Sequence, residues 1–210
     1  MTSPPPGWVV VIPVKSLAGA KTRLQHPQRA DLALAMALDT IEAVASCPLV
    51  ERVLVVTDDD AVSAAVPPSL ARAVTDSGGG DLNVCLLSVV AQTPTAGPLA
   101  VLVADLPSAR SRDVTRLLAA ASAHPICAVA DRAGTGTTAL LTTTAQALRP
   151  AFGVDSFARH LADGAVDLSD QASPGLRLDV DTVADLLLAV EQGVGPATAT
   201  IIGDGSSLRP

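Results

Sequence analysis

The stretch from Trp8 to Leu24 constrains the fold of this chain most, because an apolar run within it ends abruptly in a basic loop. Residues 9–12 are Val, Val, Val and Ile, a β-branched run that is typical of a strand buried on both faces of a parallel sheet. Pro13 fixes φ and lacks a backbone donor, so the strand should end there. We therefore expect a buried first strand in an α/β sheet, with the basic loop at its carboxyl end.

The loop carries three cations, Lys15, Lys21 and Arg23, within nine residues. Lys15 and Lys21 are the two lysines of the chain, and the other twelve basic residues are arginine. Ligands of open α/β sheets bind where strands pass into their loops, and an ammonium group suits a phosphate as a compact point charge. One lysine alone would be an ordinary solvated charge, but three cations after a buried first strand favour a polyphosphate site.

Length and composition predict a single α/β domain with an aliphatic core. Of the 210 residues, 49% are hydrophobic and 1% aromatic, so the core must consist mainly of Ala, Val and Leu. Predicted strands alternate with predicted helices and no internal repeat is seen, which indicates a mainly parallel sheet. We place this domain at residues 8–202 and expect residues 1–7 and 203–210 to be disordered.

Charge, hydropathy and cysteine use argue against several classes of partner. A net charge of −7 argues against non-specific nucleic-acid binding, which needs a basic face. No uncharged apolar span of 18 residues and no signal-peptide pattern occurs, so we expect no membrane partner. Cys47, Cys85 and Cys127 lack metal-type spacing and lie in or beside apolar runs. We interpret them as small buried hydrophobic residues of a cytoplasmic protein.

Hydrophobic periodicity and turn residues predict the order of the elements. The strands expected after the first are 52–57, 71–74, 99–103, 126–130, 138–142 and 176–180. The expected helices are 28–46, one beginning near 61, 83–92, 111–123, 156–162 and a last one that Asp181 or Thr182 caps and that ends near 192. The acidic run 58–60 could bind metal, but acids at a helix start more often cap the helix.

Three aspartates are candidate ligands of Mg²⁺, which proteins usually hold with one or two carboxylates beside substrate phosphates. Asp105 directly follows the apolar strand 99–103, where a lone aspartate caps a turn about as often as it binds metal. Asp179 and Asp181 form a D-x-D motif whose carboxylates share one face of a regular strand. Asp181 could also cap the following helix. Asp179 has no such role, and because an unpaired buried carboxylate is costly, we expect a metal or basic partner for it.

Two further stretches could contact an anion. Residues 134–138 read Gly-Thr-Gly-Thr-Thr, whose backbone N–H groups can converge on an anion, although the motif also suits a tight turn. Ser156 is a helix N-cap by residue type, at a helix end that can accept phosphate or carboxylate. The three histidines are scattered, and no hydrolase or dinucleotide motif is present. A phosphate monoester, with its second pKa of about 6, would be a nucleophile that needs no general base.

Seven stretches, in order over nearly the whole chain, carry a family resemblance. They are VIPVKSLAGAKTRL (11–24), DLN (81–83), ADLP (104–107), ADRAGTGTT (130–138), FGVDSFARH (152–160), GLRLDVDTVADL (175–186) and GVGPATA (193–199). Together they resemble the guanylyltransferases of deazaflavin coenzyme F-420 biosynthesis, which join GTP to a phosphorylated three-carbon acid. The matching stretches and the composition are most similar to the actinobacterial branch, whose acceptor is phosphoenolpyruvate. Methanogen relatives use 2-phospho-L-lactate.

The resemblance implies a three-layer, Rossmann-like fold of the nucleotide-diphospho-sugar-transferase type with a mixed sheet. It also implies phosphoenolpyruvate bound against Thr137, Gly153 and Ser156, and Mg²⁺ held by Asp105, Asp179 and Asp181. From the charge of the basic loop we infer that Lys15, Lys21 and Arg23 bind the triphosphate and serve catalysis. Asn83 is expected at the nucleotide. The implied partners are GTP and phosphoenolpyruvate, and a homodimer or direct hand-over of product to the next transferase is compatible with them.

Several alternatives stay open at this point. The acceptor could be 2-phospho-L-lactate, 3-phosphoglycerate or molybdenum cofactor. Ala104 stands where the family usually shows glycine, and the glycine-rich residues 76–83 depart from the family pattern. Both departures would fit a paralogue that binds nucleotide without transferring it. No repeat or amphipathic surface stretch favours a scaffold protein.

Overall fold

The computed structural model describes residues 7–19, 21, 23, 24, 26–76, 78–93 and 97–203. The two termini that we expect to be disordered lie outside these ranges, except for Gly7 and Gly203. Within the described ranges, no helix combines the length and the apolar composition needed to cross a lipid bilayer.

Seven strands of the described residues form one mixed sheet. They are β1 (Trp8–Pro13), β2 (Val50–Thr57), β3 (Arg72–Thr75), β4 (Leu99–Leu102), β5 (Ile126–Ala130), β6 (Thr137–Thr142) and β7 (Val166–Asp167). Their order across the sheet is β3-β2-β1-β4-β6-β5-β7. Strand β6 runs antiparallel to its neighbours β4 and β5, and the other neighbouring pairs are parallel. The predicted mainly parallel, mixed sheet is therefore confirmed.

Helices cover both faces of this sheet. In the described part of the chain they are α1 (Arg29–Ala45), α2 (Asp60–Ala65), α3 (Leu82–Gln92), α4 (Ser111–Ala121), α5 (Ser156–Ala162), α6 (Pro174–Arg177), α7 (Val183–Gln192) and α8 (Pro196–Ile202). Along β1, Val10 and Ile12 join a core with α1, α2 and α4, whereas Val9 and Val11 join a second core with α3 and α5. Successive side chains of this buried strand thus pack into two different cores, one on each face of the sheet. The predicted three-layer arrangement is confirmed.

A third apolar cluster joins helices outside the sheet. It contains Met36 of α1, Leu186 of α7, Ile202 of α8, and Leu178 and Val180 from the segment before α7. This packing holds that segment, which carries two of the candidate metal ligands, against the body of the domain.

The strand predicted over 176–180 is wrong. Helix α6 occupies Pro174–Arg177, and a segment without regular secondary structure follows it up to α7. A proline at the first position favours the helix start. The segment is tied to the loop after β4 by a backbone hydrogen bond from Val180 N to Asp105 O, of 3.0 Å. A short buried apolar run packs equally well against helices, so periodicity does not distinguish the two cases.

Besides α6, strand β7 and helix α8 are missing from the predictions. Strand β7 has two residues, too few to show a period. Helix α8 begins at Pro196 within GVGPATA. Glycine and proline usually indicate a loop, so the sequence did not show that this proline starts a helix. The preceding helix α7 ends at Gln192 as predicted, and Thr182 caps it in a capping box with Asp185.

The sheet order positions the site. Strand β1 has β2 on one side and β4 on the other, so the direction of winding reverses between β1 and β4. In open α/β sheets such a switch point opens a crevice at the carboxyl ends of the strands. The basic loop follows β1, and Asp105 follows β4, which brings both to this crevice.

Candidate active site

The basic loop after β1 is anchored by Asp59. Its Oδ2 accepts hydrogen bonds from Leu17 N at 2.9 Å and Ser16 Oγ at 3.3 Å. Its Oδ1 accepts from the first backbone N–H groups of α2, Ala61 N and Val62 N. These bonds, above all that from Leu17, lower the pKa of Asp59. The prediction that the acidic run 58–60 caps a helix is confirmed, and the same carboxylate also fixes the start of the basic loop.

Lys21 lies between two carboxylates. Its ammonium donates to Asp105 and, at 3.0 Å, to Asp181, and Arg23 donates to the other oxygen of Asp181. Burial alone would lower the pKa of Lys21, but the two carboxylates outweigh burial and raise that pKa. The Lys21 backbone has a φ of 52°, a left-handed conformation that non-glycine residues rarely adopt. Lys15 is exposed and forms no ion pair with another described residue.

Lys21 and Arg23 do not fully neutralise the negative charge of the three aspartates. Within the described chain, the buried Oδ1 of Asp105 has no hydrogen-bond partner. Burial, and then the negative charges of Asp105, Asp131 and Asp181, raises the pKa of Asp179 to about 6. A carboxyl whose pKa is raised in this way lacks a cationic partner. The charge of the site therefore favours one more cation.

The three aspartates suit a hard cation such as Mg²⁺ in ligand type and in location. Among the residues that the structure describes, however, no three carboxylate, imidazole or thiol groups already converge as a metal site. Lys21 pairs with Asp105 and with Asp181. A divalent ion at these aspartates would therefore have to displace the Lys21 ammonium from the same two carboxylates.

The Gly-Thr-Gly-Thr loop is folded on Asp131. The Asp131 carboxylate accepts hydrogen bonds from Thr135 N and Gly136 N, each of 2.9 Å. A Cβ at Gly136 would lie 2.6 Å from Asp131 Oδ2, so a larger residue there would displace the carboxylate that accepts these two bonds. Of the two interpretations, the tight turn is confirmed, and these two N–H groups are engaged by Asp131. The turn delivers Thr137 to the cleft.

A buried hydrogen-bonded chain links β6 to α5. Ser156 Oγ donates to Thr137 Oγ1 at 3.1 Å, and Thr137 Oγ1 also lies 2.9 Å from Nδ1 of His160. Nε2 of His160 accepts from Ala151 N at 2.9 Å. Burial, and to a smaller degree the charge of Arg159, lowers the pKa of His160 to about 4. The imidazole is therefore neutral near pH 7.

His160 was treated above as a scattered histidine, and its contact with the site was missed. A signal was present, because Ser156 and His160 are four residues apart on a predicted helix and so share a face. The prediction that Ser156 is an N-cap is wrong. Helix α5 begins at Ser156 and Asp155 precedes it as the cap residue, while the Ser156 hydroxyl bonds to Thr137.

The loop before α5 is clamped from α3 by Asn83. Its Nδ2 donates to Phe152 O at 3.1 Å, and its Oδ1 accepts from Phe152 N at 2.8 Å. Asn83, expected at the nucleotide, is thus engaged with backbone and is not among the described residues that line the cleft, although its neighbour Leu82 is. Gly153 follows with a φ of 125°, a conformation that favours glycine.

One cleft of about 490 Å³ gathers nine of the ten residues predicted for the site. The nine are Lys15, Lys21, Arg23, Asp105, Thr137, Gly153, Ser156, Asp179 and Asp181. The volume lies within the range of about 300–1,000 Å³ that is usual for small-molecule sites. Cations, carboxylates and hydroxyl groups that face one space can bind a phosphate-rich ligand together with a metal ion.

Comparison with known families and proteins gives matches over most of the chain. The family model described as "Guanylyl transferase CofC like" matches residues 8–200. The phosphoenolpyruvate guanylyltransferase of Streptomyces coelicolor is 45% identical over 201 residues, which cover 92% of this chain and 95% of that protein. The phosphoenolpyruvate guanylyltransferase of Geodermatophilus obscurus is 47% identical over 205 residues, with 93% and 94% covered.

Solved structures share the fold at low sequence identity. A protein from Desulfovibrio desulfuricans G20, described as a nucleotide-diphospho-sugar transferase, has a TM-score of 0.72 and 15% identity over 96% of each chain. Rv0371c from Mycobacterium tuberculosis H37Rv, solved in complex with manganese, has a TM-score of 0.57 and 18% identity, with 90% of this chain and 100% of that chain covered. The predicted nucleotide-diphospho-sugar-transferase-like fold is confirmed.

Proposed function

The chain belongs to the family of CofC-like guanylyl transferases, and from this membership we propose that it transfers GMP from GTP to phosphoenolpyruvate. The products are enolpyruvoyl-2-diphospho-5'-guanosine and pyrophosphate, in coenzyme F-420 biosynthesis. The names of the two relatives from Streptomyces coelicolor and Geodermatophilus obscurus support this acceptor over 2-phospho-L-lactate or 3-phosphoglycerate. The buried cysteines support a reducing compartment, and we propose the cytoplasm as the place of action.

One observation carries the proposal: the basic loop, the three aspartates and the hydroxyl pair line a single cleft. Both substrates are phosphorylated anions that repel each other in water, so a site that joins them must supply positive charge. Lys15, Lys21 and Arg23 supply it from one loop. We assign this loop to the triphosphate of GTP, and Thr137, Gly153 and Ser156 to phosphoenolpyruvate.

The reaction depends on positioning the two reacting phosphate groups and neutralising their charge more than on proton transfer. A phosphate oxygen of phosphoenolpyruvate forms a bond to the α-phosphorus of GTP, the bond from that phosphorus to the bridging oxygen breaks, and pyrophosphate leaves. The nucleophile is mostly dianionic at pH 7, because its second pKa is about 6, so no general base is required. Holding the two groups in line then provides most of the rate enhancement.

Asp105, Asp179 and Asp181 are the residues that would hold Mg²⁺, which would neutralise negative charge on the reacting phosphates. The buried, unpartnered Oδ1 of Asp105 and the raised pKa of Asp179 support this assignment. Lys21, which pairs with two of these carboxylates, would then be free to contact the triphosphate. For Asn83 we propose an indirect role in binding, through the backbone of Phe152.

The proposal is tested by mass spectrometry of the product formed from GTP, Mg²⁺ and an equimolar mixture of phosphoenolpyruvate, 2-phospho-L-lactate and 3-phosphoglycerate. Molybdenum cofactor is tested in a separate reaction. We expect a single guanylylated product, that of phosphoenolpyruvate, and one equivalent of pyrophosphate. A dominant product from another acceptor would refute the substrate assignment. Tight GTP binding without any product would indicate a paralogue that does not transfer GMP.

The metal assignment has its own variant and control. Asp105→Asn should abolish pyrophosphate release while the melting temperature shows a folded protein. Asp60→Asn, an exposed residue at the start of α2, should leave turnover unchanged. Full turnover by Asp105→Asn would remove Asp105 from the metal site.

A further inference from the structure

The hydrogen-bonded chain behind the cleft has a fixed direction. Nε2 of His160 lies 2.9 Å from the backbone nitrogen of Ala151. A backbone N–H can only donate, so Nε2 must accept. His160 is 0% exposed, and its lowered pKa of about 4 keeps the ring neutral near pH 7. A neutral imidazole whose Nε2 accepts carries its hydrogen on Nδ1.

The hydrogen on Nδ1 decides where the hydroxyl hydrogens go. Nδ1 lies 2.9 Å from Thr137 Oγ1 and therefore donates to it. Thr137 and Ser156 together have two hydroxyl hydrogens, of which one forms the 3.1 Å bond between them. The second cannot go to His160, which is itself a donor, and no described carbonyl oxygen accepts from either hydroxyl. It is left for the cleft, which both side chains line.

We propose that His160 is a positioning residue that makes the hydroxyl pair of Thr137 and Ser156 a hydrogen-bond donor toward an anionic oxygen of the acceptor substrate. In the opposite tautomer, His160 would accept the Thr137 hydrogen and the pair would present lone pairs to the cleft. Those lone pairs would repel a phosphate or a carboxylate. The inference rests on the proposed function, since the anion is the phosphorylated acceptor assigned to this end of the cleft.

The residues around His160 hold the backbone N–H of Ala151 in place, and this N–H sets the direction of the hydrogen-bonded chain. The ring of Phe152 packs edge-on against the imidazole, with 5.2 Å between ring centroids and 71° between planes. The Phe152 backbone is fixed by both polar groups of the Asn83 side chain. The adjacent Ala151 N–H is therefore held toward Nε2 by α3, an element outside the hydrogen-bonded chain.

The tautomer can be measured without any enzyme assay. Long-range ¹H–¹⁵N spectra of the ¹⁵N-labelled protein at pH 7 report which ring nitrogen carries the hydrogen, and the His160→Asn variant assigns the signal. We expect a neutral ring with hydrogen on Nδ1. A ring with hydrogen on Nε2, or a charged ring, would overturn the inference.

Kinetics test the consequence for binding. His160→Leu and His160→Asn both remove the acceptor for Ala151 N–H, but asparagine keeps a donor near the position of Nδ1. We expect His160→Leu to raise KM for phosphoenolpyruvate about tenfold and KM for GTP less than about twofold, since the hydroxyl pair keeps its hydrogens but is no longer held with one of them directed at the anion. His160→Asn should raise KM for phosphoenolpyruvate less than His160→Leu does. His124→Asn, in the turn before β5, is the matched control and should change neither KM.

A double-mutant cycle shows whether His160 acts by orienting the Thr137 hydroxyl or only by packing. Without the Thr137 hydroxyl there is nothing for His160 to orient, so in a Thr137→Val background His160→Leu should add less than about twofold to KM. Equal rises of both KM values in both His160 variants, or additive effects in the cycle, would contradict the inference. If His160→Leu does not fold, the tautomer spectrum and the comparison of Thr137→Val with Thr137→Ser still decide it.

Failure of this inference and failure of the proposed function give different results. If the unmodified protein makes no product from phosphoenolpyruvate but His160 carries its hydrogen on Nδ1, the function is wrong and the hydrogen-bonded chain stands. If product forms but the hydrogen is on Nε2, the function stands and the role of His160 is wrong.

Discussion

The surroundings of Asp179 do not compensate the negative charge of its carboxylate. Burial and the charges of neighbouring aspartates raise its pKa to about 6, above the ordinary value of 3.8. Because the folded-state pKa is the higher one, ionisation of Asp179 opposes folding. Its contribution to stability is favourable at low pH and is lost as the pH rises through about 6. A site that opposes folding when it is empty is expected where a cation binds.

Replacing Asp179 should therefore separate stability from activity. In the absence of divalent ions at pH 8, Asp179→Asn should raise the free energy of unfolding by about 1–2 kcal/mol, a value reduced for solvent screening. The gain should disappear at pH 4, and pyrophosphate release should be abolished. Urea unfolding in EDTA at both pH values measures the first effect, with Asp60→Asn as a control that changes neither property. A less stable Asp179→Asn protein at pH 8 would contradict this electrostatic account.

Among single residues, those that line the cleft could be predicted where one chemical property identified them. Lys15 and Lys21 stand out as the two lysines of the chain, and Asp105 stands out as a charge directly after a buried strand. His160 did not stand out, because its role depends on contacts with Ala151 and Thr137 that only the fold brings about.

At the scale of elements, the loop after β1 depends on the start of α2. Asp59→Ala removes the acceptor of Leu17 N and Ser16 Oγ as well as the cap of α2. We expect KM for GTP to rise about threefold to tenfold, because the loop cations lose their fixed position. Asp60→Ala is the matched control, since Asp60 lies next to Asp59 and is exposed. An unchanged KM for GTP in Asp59→Ala would mean that the loop orders itself on the ligand.

The clamp between α3 and the loop before α5 gives a second prediction at this scale. Asn83→Ala loses both hydrogen bonds to Phe152, which should cost about 1–2 kcal/mol of stability. KM for phosphoenolpyruvate should rise and KM for GTP should not, because Phe152 adjoins Gly153, which we assign to the acceptor. Gln92→Ala, exposed at the far end of α3, is the control. A rise in KM for GTP alone would show instead that Asn83 contacts the nucleotide directly.

At the scale of the whole molecule, the last helix, α8, packs against the first helix, α1. Asp39, 6% exposed, accepts from Ala197 N at 2.9 Å and Thr198 N at 2.8 Å. A Cβ at Gly195 would lie 2.3 Å from an Asp39 atom, so the close approach needs glycine there. The third apolar cluster lies between these helices and also holds the segment with Asp179.

Loss of this contact should lower the stability of the whole fold and, as a consequence, the activity of the site. Asp39→Ala should lower the free energy of unfolding by about 2–3 kcal/mol, because two charge-assisted bonds from backbone N–H groups of α8 are lost. Turnover should fall as well, since the segment that carries Asp179 packs in the same cluster. Chemical denaturation and pyrophosphate release measure the two effects, and Asp31→Ala, exposed on the same helix, is the control. Unchanged stability would show that α8 is not needed to close the domain.

The sequence by itself predicted the α/β class, the central strand and, together with the family resemblance, nine residues that line the cleft. Local chemistry marks the strand as a β-branched run, and it marks the cations and carboxylates because they follow apolar runs. The tertiary structure alone decided that the segment before α7 packs on helices, that Lys21 pairs with Asp105 and Asp181, and which nitrogen of His160 carries the hydrogen. The physical reason is that a periodic pattern records which residues are buried. The partner against which each residue is buried, and the direction of its hydrogen bonds, depend on contacts between residues far apart in the chain.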